Sequence, residues 1–223
     1  MAVTPDGKTA YVTNFDSGTA STIDVKARTK HPADIPVGTQ PGGVTVTPDG
    51  KTAFVVNPGS DSVSTIDVTT RTKHPTDIAV GSLPFTVAVT PDGKTAFVTN
   101  ARGGTVSTID VKTRTKHPND IAVGSGPFGV TVTPDGKTAF VANSLSDTVS
   151  TIGVKGRTNN PSDIAVGTGP AGVAVTPDGK TAFVVDSESD MVSTIDVKTR
   201  TKHPADITVG SSPIGVAVTP CRR

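Results

Sequence analysis

The chain has 223 residues, room for one large domain or two small ones, and its formal net charge of +1 excludes a strong pull toward nucleic acid or an anionic membrane. Hydrophobic residues make up 34 %, whereas 23 glycines and 18 prolines accompany abundant Val, Thr and Ile; this combination excludes long helices and suits many short strands joined by tight turns. The lone Cys221 excludes an internal disulfide, and no apolar run approaches a membrane span.

The first residues, Met1-Ala2-Val3-Thr4-Pro5, have neither the basic start nor the apolar stretch of a secretory signal, so any export signal lies outside this chain. Thr-Pro-Asp-Gly-Lys-Thr then begins at Thr4, Thr47, Thr90, Thr133 and Thr176, with 43 residues between successive copies and no insertion or deletion. We read a single domain over 1–223 with repeats 1–43, 44–86, 87–129, 130–172 and 173–215 and a partial sixth at 216–223.

The second repeat serves as the type. Residues 43–47 are expected as a short strand A. Pro48-Asp49-Gly50-Lys51 is a hairpin turn, with Pro presetting φ and Gly free to take the left-handed conformation. Residues 52–56 return as strand B, and 57–62 form a polar loop. Residues 63–68 make strand C, 69–76 a basic turn containing His74-Pro75, and 77–80 strand D. Four short antiparallel strands at this period predict a β-propeller blade, because one such sheet cannot bury both faces alone but neighbouring blades can cover them. The fold class is therefore all-β, a propeller of five four-stranded blades. A stack of β-solenoid coils is the lesser alternative.

Tyr11-Val12-Thr13-Asn14 recurs as Phe54-Val55-Val56-Asn57, Phe97-Val98-Thr99-Asn100, Phe140-Val141-Ala142-Asn143 and Phe183-Val184-Val185-Asp186. With Val-Ser-Thr-Ile-Asp-Val from Val63, Ile-Ala-Val-Gly from Ile78 and Gly-Val-Ala-Val-Thr-Pro-Asp-Gly from Gly172, the chain resembles the YVTN family of β-propeller repeats over all but its last three residues. The resemblance implies a surface-layer or envelope-associated protein with lactonase-like and haem-binding relatives, most of them seven-bladed. Five repeats depart from that number.

The chain opens within one strand A and ends with another, at residues 213–220, so it holds one more strand A than it has B–C–D sets. In a ring closed at five blades, the tail and the stub at residues 2–4 compete for the slot beside the first strand B. The stub has a short loop to close, but the tail is longer and ties the two ends together, and we expect the tail there. A closed ring predicts a monomer and an open arc predicts self-association.

The A–B and C–D turns share one end of each blade and are nearly invariant. The B–C and D–A loops share the other end and vary. The candidate binding face is therefore the B–C/D–A end, with Phe15, Asp16, Arg102, Leu145, Asp147, Glu188 and Asp190 from B–C loops and Phe85 and Phe128 beside D–A loops. Drift in exposed, tolerant loops is the competing explanation, and the one we place first.

His31, His74, His117 and His203 share one repeat position, taken by Asn160 in the fourth repeat. That position lies beside the outermost strand, so the copies ring the perimeter and cannot converge on one ion; no His maps to the axis for haem. Asp186, Glu188 and Asp190 crowd one loop near Asp147, but no His, Cys or Tyr accompanies them. The Lys and Arg of the C–D turns, such as Lys112, Arg114 and Lys116, are offset by Asp110 and Asp120, and aromatics are only 4 %, against stacking on nucleic-acid bases.

These observations predict no catalytic residue, no metal, no cofactor and no nucleic-acid partner. The reading is a non-enzymatic scaffold that binds a protein or small ligand, on an envelope or secreted protein, the cytoplasm being the other compartment. The alternatives are a lactonase-like or lyase-like enzyme using acids on the same face, and a structural or designed repeat with no ligand.

Overall fold

A computed structural model describes residues 1–219; Cys221 and the end of the sixth repeat lie outside the described residues. Five antiparallel sheets follow one another along the chain. The first contains β1 (Ala2–Val3), β2 (Thr9–Asn14), β3 (Thr19–Asp24), β4 (Thr29–Lys30) and β5 (Ile35–Pro36). The second contains β6 (Val44–Val46), β7 (Thr52–Asn57), β8 (Ser62–Asp67), β9 (Thr72–Lys73) and β10 (Ile78–Ala79). The third contains β11 (Pro84–Val89), β12 (Thr95–Asn100), β13 (Thr105–Asp110), β14 (Thr115–Lys116) and β15 (Ile121–Ala122). The fourth contains β16 (Pro127–Val132), β17 (Thr138–Asn143), β18 (Thr148–Gly153), β19 (Thr158–Asn159) and β20 (Ile164–Ala165). The fifth contains β21 (Pro170–Val175), β22 (Thr181–Asp186), β23 (Met191–Asp196), β24 (Thr201–Lys202) and β25 (Ile207–Thr208). These are five propeller blades, and among the described residues no helix is long and apolar enough to cross a membrane.

Each A–B hairpin is closed by its repeated motif. In the second blade Thr47 Oγ1 donates to Asp49 at 2.6 Å, Asp49 accepts the Lys51 N–H at 3.0 Å, and Gly50 takes φ +71°. The expected single strand D is divided. β9 pairs with the far half of β8 (Ile66↔Lys73) and β10 with the near half (Ile78↔Val63). Proline has no N–H and pushes the preceding residue out of regular pairing, so His74-Pro75 interrupts the strand. The histidines therefore sit inside the outermost strand, in its interruption, and not in the turn before it; the His74 N–H still donates to the Thr65 carbonyl at 2.8 Å. Strand A starts earlier than expected in the last three blades, with a register shift between Pro84 and Val87 and at the equivalent places.

The slot beside β2 is filled by β1, with Ala2 opposite Tyr11 and Val3 opposite Ala10. The expectation that the tail would take that slot is not met: residues 210–219 belong to no strand. The stub is joined to β2 by a five-residue turn, and its small closure cost wins locally.

The chain divides into two units, Met1–Asn100 with Ser107–Asp120, and Ala101–Val106 with the residues from Ile121 onward. Within the first, Tyr11, Ala20 and Ile35 pack on Ala53, Val55 and Ile66, and Phe54, Val63 and Ile78 pack on Ala96, Val98 and Ile109. Within the second, Phe140, Val149 and Ile164 pack on Ala182, Val184 and Ile195. One rule covers all three cores. The aromatic of strand B, the Val of strand C (Ala20 in the first blade) and the outer-strand Ile of one blade meet the Ala, Val and Ile of the next. Alternation along β2, β7 and their counterparts supplies both faces, since successive strand residues point to opposite sides.

Candidate functional site

The B–C/D–A end is built by backbone contacts between loops. In the second unit the Ser144 N–H donates to the Gly126 carbonyl and the Leu145 N–H to the Ser125 carbonyl; Ser187 and Glu188 repeat the pattern on Gly169 and Thr168. The Leu145 side chain lies over Gly126, whose missing Cβ would fall 2.6 Å from Leu145 Cγ, and Glu188 lies over Gly169 in the same way. Both glycines take φ +64°, so a side chain there would be strained as well as blocked. Leu145 is 79 % exposed and stands as the apolar member of this rim.

The acids of these loops bind backbone. Asp147 Oδ1 accepts the Gly169 N–H at 2.9 Å, Asp190 Oδ1 accepts the Ser212 N–H at 2.7 Å, and in the first unit Asp61 Oδ1 accepts the Leu83 N–H at 2.7 Å. All three take positive φ, a conformation Asp tolerates. Each ties its B–C loop to the following D–A loop. This role was missed in the sequence, where the available signal was Asp at one repeat position in three copies, Asp61, Asp147 and Asp190, with Gly18 and Gly104 in the other two. Glu188 is exposed. In the first unit Phe15 and Asp16 are exposed together in the first B–C loop, while Phe85 is half-buried on β11, where its carbonyl accepts the Gly43 N–H. In the second unit Arg102 is exposed and Phe128 half-buried on β16.

Beneath the loops runs a relay from Asn to Ser to Asp to Lys. Asn57 Nδ2 donates to Ser64 at 2.9 Å, Ser64 to Asp77 at 2.8 Å, and Lys73 bridges Asp77 at 2.8 Å. Asn14-Ser21-Asp34-Lys30 and Asn100-Ser107-Asp120-Lys116 repeat it. In the fifth blade the first member is Asp186, which is fully buried; Ser193 donates to it at 2.7 Å and also lies 3.1 Å from Asp206. Asp186 Oδ1 has no hydrogen-bond partner. Burial pushes this carboxyl above the ordinary aspartate value, against the lowering by the Ser193 bond. Asp186 thus points into the blade and away from Glu188 and Asp190, which it adjoins in sequence.

Along the outer strands of the first two blades, a groove of about 470 Å³ is lined by His31, Asp34, Arg71 and Lys73 among others. Arg71 donates to His31 Nε2 at 2.9 Å, and Arg114 to His74 Nε2 at 3.0 Å, one blade along. A smaller groove of about 250 Å³ lies beside His74, Pro75 and Arg114, the repeat equivalents of His31, Pro32 and Arg71, with its other lining residues at different repeat positions. Among the described residues no three His, Cys, Asp or Glu side chains are grouped to hold a metal ion.

Repeated four-stranded sheets with these shared cores define a β-propeller protein. The chain belongs to the family described as Lactonase, 7-bladed beta-propeller, whose model matches residues 1–123 and 46–209. Among solved structures it is similar to hydrazine synthase of Kuenenia stuttgartiensis, at 26 % identity and TM-score 0.80, over 89 % of this chain and 62 % of that one. It is also similar to a functionally unknown protein of Desulfotomaculum acetoxidans, at 19 % and 0.77 over 87 % and 63 %. A third likeness is to a putative 6-phosphogluconolactonase of Bacteroides fragilis, at 20 % and 0.78 over 94 % and 70 %. The chain therefore spans less than two thirds of the first two. No curated protein matches it in sequence.

Proposed function

We propose that this chain is a non-enzymatic propeller scaffold, part of an envelope or secreted protein, that holds a protein or small ligand on its B–C/D–A loop face. The observation that supports this is the commitment of the acids there. Asp147 and Asp190 accept backbone N–H groups of neighbouring loops, and Asp186 is buried within its blade. General acid–base chemistry needs a titratable group within reach of substrate; Glu188 is the exposed acid of the fifth blade's loop and Asp16 that of the first, and neither has a His, Cys or Tyr in its loop. What the loops of the second unit offer a partner is Leu145 and Arg102; those of the first unit offer Phe15.

Membership of the lactonase family favours a second reading, hydrolysis of a sugar lactone on the same face. Incubating the protein with 6-phosphogluconolactone and unphosphorylated aldonolactones, with and without divalent cations, decides between them. The scaffold reading expects ring opening at the spontaneous rate throughout. Turnover that proportionately follows protein concentration and falls at least tenfold in Glu188→Gln would establish the enzyme instead.

A further inference from the structure

The groove along the outer strands of the first two blades holds one charge that its surroundings do not neutralise. Its walls are residues 31–36 of the first blade and 70–73 of the second, all within the first unit. Lys73 is held by Asp77 at 2.8 Å. Asp34 is held by Lys30 at 2.9 Å and by the Ser21 hydroxyl at 2.7 Å. These two ion pairs leave the Arg71 guanidinium over. Among the described residues Arg71 makes no ion pair, and its partner is His31 Nε2 at 2.9 Å. A guanidinium has donors and no acceptor, so His31 Nε2 accepts, and this imidazole is neutral with its proton on Nδ1. The bond pins the guanidinium at the groove and leaves its other N–H groups for solvent or a ligand.

The first blade's wall is largely apolar, and its composition is particular to the first repeat. Pro36 stands where the other repeats carry Ala79, Ala122, Ala165 and Thr208. Ala33 stands where the next three carry Thr76, Asn119 and Ser162. Proline has no N–H, and the Ala side chain has no polar atom, so Pro32, Ala33 and Pro36 offer a ligand apolar surface. The groove's volume, about 470 Å³ against about 250 Å³ beside His74, lies within the roughly 300–1,000 Å³ of small-molecule sites.

We propose that this groove binds a small organic monocarboxylate with an apolar body: the carboxylate takes the free donor edge of Arg71, and the body lies on Pro32, Ala33 and Pro36. The planar guanidinium fork matches two carboxylate oxygens with two parallel N–H···O bonds. A neutral apolar ligand would desolvate the guanidinium without pairing it. A bare anion would leave the apolar wall in water. Asp34 limits the charge the site accepts. It lines the same groove, and its carboxylate, though paired with Lys30, repels a multiply charged ligand more than a singly charged one. The groove lies on the outer strands, apart from the B–C/D–A loops, and the proposal stands or falls independently of the function proposed for those loops.

Titration of the whole chain with benzoate, followed by two-dimensional amide NMR and calorimetry, is the test. Benzoate is expected to shift the amides of residues 33–35 and 70–73 and to saturate. Acetate, without the apolar body, and inorganic phosphate, with more charge and no body, should each bind about fivefold more weakly or worse. Arg71→Gln should weaken benzoate about tenfold, whereas Arg114→Gln, at the same repeat position one blade along, should leave it unchanged. Ala33→Leu fills the groove without altering its charge and should also weaken benzoate about tenfold. Arg71 and Ala33 are exposed, so both variants should keep the circular dichroism spectrum and melting temperature of wild type. Absence of saturable shifts at these amides overturns the proposal, as does equal weakening by Arg71→Gln and Arg114→Gln. Acetate or phosphate that binds as tightly as benzoate, or Ala33→Leu that binds benzoate like wild type, overturns the assignment of an apolar monocarboxylate.

Discussion

Two residues depart from the repeat where the departure carries a cost. Tyr11 stands where three later blades place a fully buried Phe; it is fully buried, and its hydroxyl has no hydrogen-bond partner. Leaving a buried hydroxyl unpaired costs about 1–3 kcal/mol, so Tyr11→Phe is expected to raise stability by about 1 kcal/mol in urea unfolding. Asp186 is the second. In the other relays an Asn amide donates to the serine, which donates onward; an ionised Asp186 cannot donate, and Ser193 has one proton for two carboxylates. Burial, set against the bonds that Ser193 donates, makes the folded carboxyl hold its proton more tightly than the unfolded one, whose value is 3.8. Below pH 3.8 both states are protonated and the group is neutral toward stability. As pH rises the unfolded chain releases its proton first, so stability falls until the folded carboxyl has also ionised. Asp186→Asn restores the donor, and its gain in melting temperature should be small in acid and larger at neutral pH. A gain independent of pH would contradict this account. The sequence showed the Asn-to-Asp change plainly, but reading it as one of three crowded loop acids placed it on the wrong side of the backbone, because strand alternation sends Asp186 inward.

At the scale of elements, turns and loop ties set the pH and mutational response. The A–B turn aspartates, Asp49, Asp92 and Asp135 among them, are held below the ordinary carboxylate value, first by the Thr hydroxyl and then by the Lys backbone N–H. Asp67 and Asp110 in the C–D turns are lowered by the N–H and hydroxyl of Thr70 and Thr113. Groups lowered on folding stabilise the protein above their unfolded value and lose that contribution as pH falls through the folded one. Acid titration monitored by circular dichroism should therefore show stability declining below pH 3.8, where Asp186 is protonated in both states and contributes no pH dependence. The loop ties behave differently. Asp147→Ala removes the acceptor of the Gly169 N–H and puts Ala at φ +54°; it should cost about 1–2 kcal/mol in urea unfolding. Asp147→Asn keeps both features and should cost little. If instead the two variants destabilise equally, the charge and not the tie matters. The hairpins were legible because Pro-Asp-Gly-Lys encodes a turn locally. The divided outer strand was not, because whether His-Pro ends a strand or interrupts it depends on which half of strand C the chain rejoins.

At the scale of the molecule, a repeat array draws its stability from blade to blade, and each blade contributes according to how many of its faces are covered. The 43-residue register made the blades visible in the sequence, and the alternation within them made both faces visible. Which strand A fills the first slot was not visible, since stub and tail carry the same residues and only loop closure separates them. The open faces give this arrangement a measurable signature in amide hydrogen exchange. Opening free energies rise with buried apolar contact. Residues of β7, β8 and β12, whose side chains are covered on both sides, should exchange slowly and near the global limit. β25 should exchange fastest among the outer strands, because Ile207 has lost the cover that keeps Ile78 and Ile121 buried. β1 should rank with it, since two residues hold it and Val3 stands exposed. The measurement is made on wild type at low protein concentration. Under those conditions the gradient belongs to the single chain. Uniform protection across all five blades would mean that the terminal faces are as well covered as the inner ones, and the face-by-face account of stability would fail.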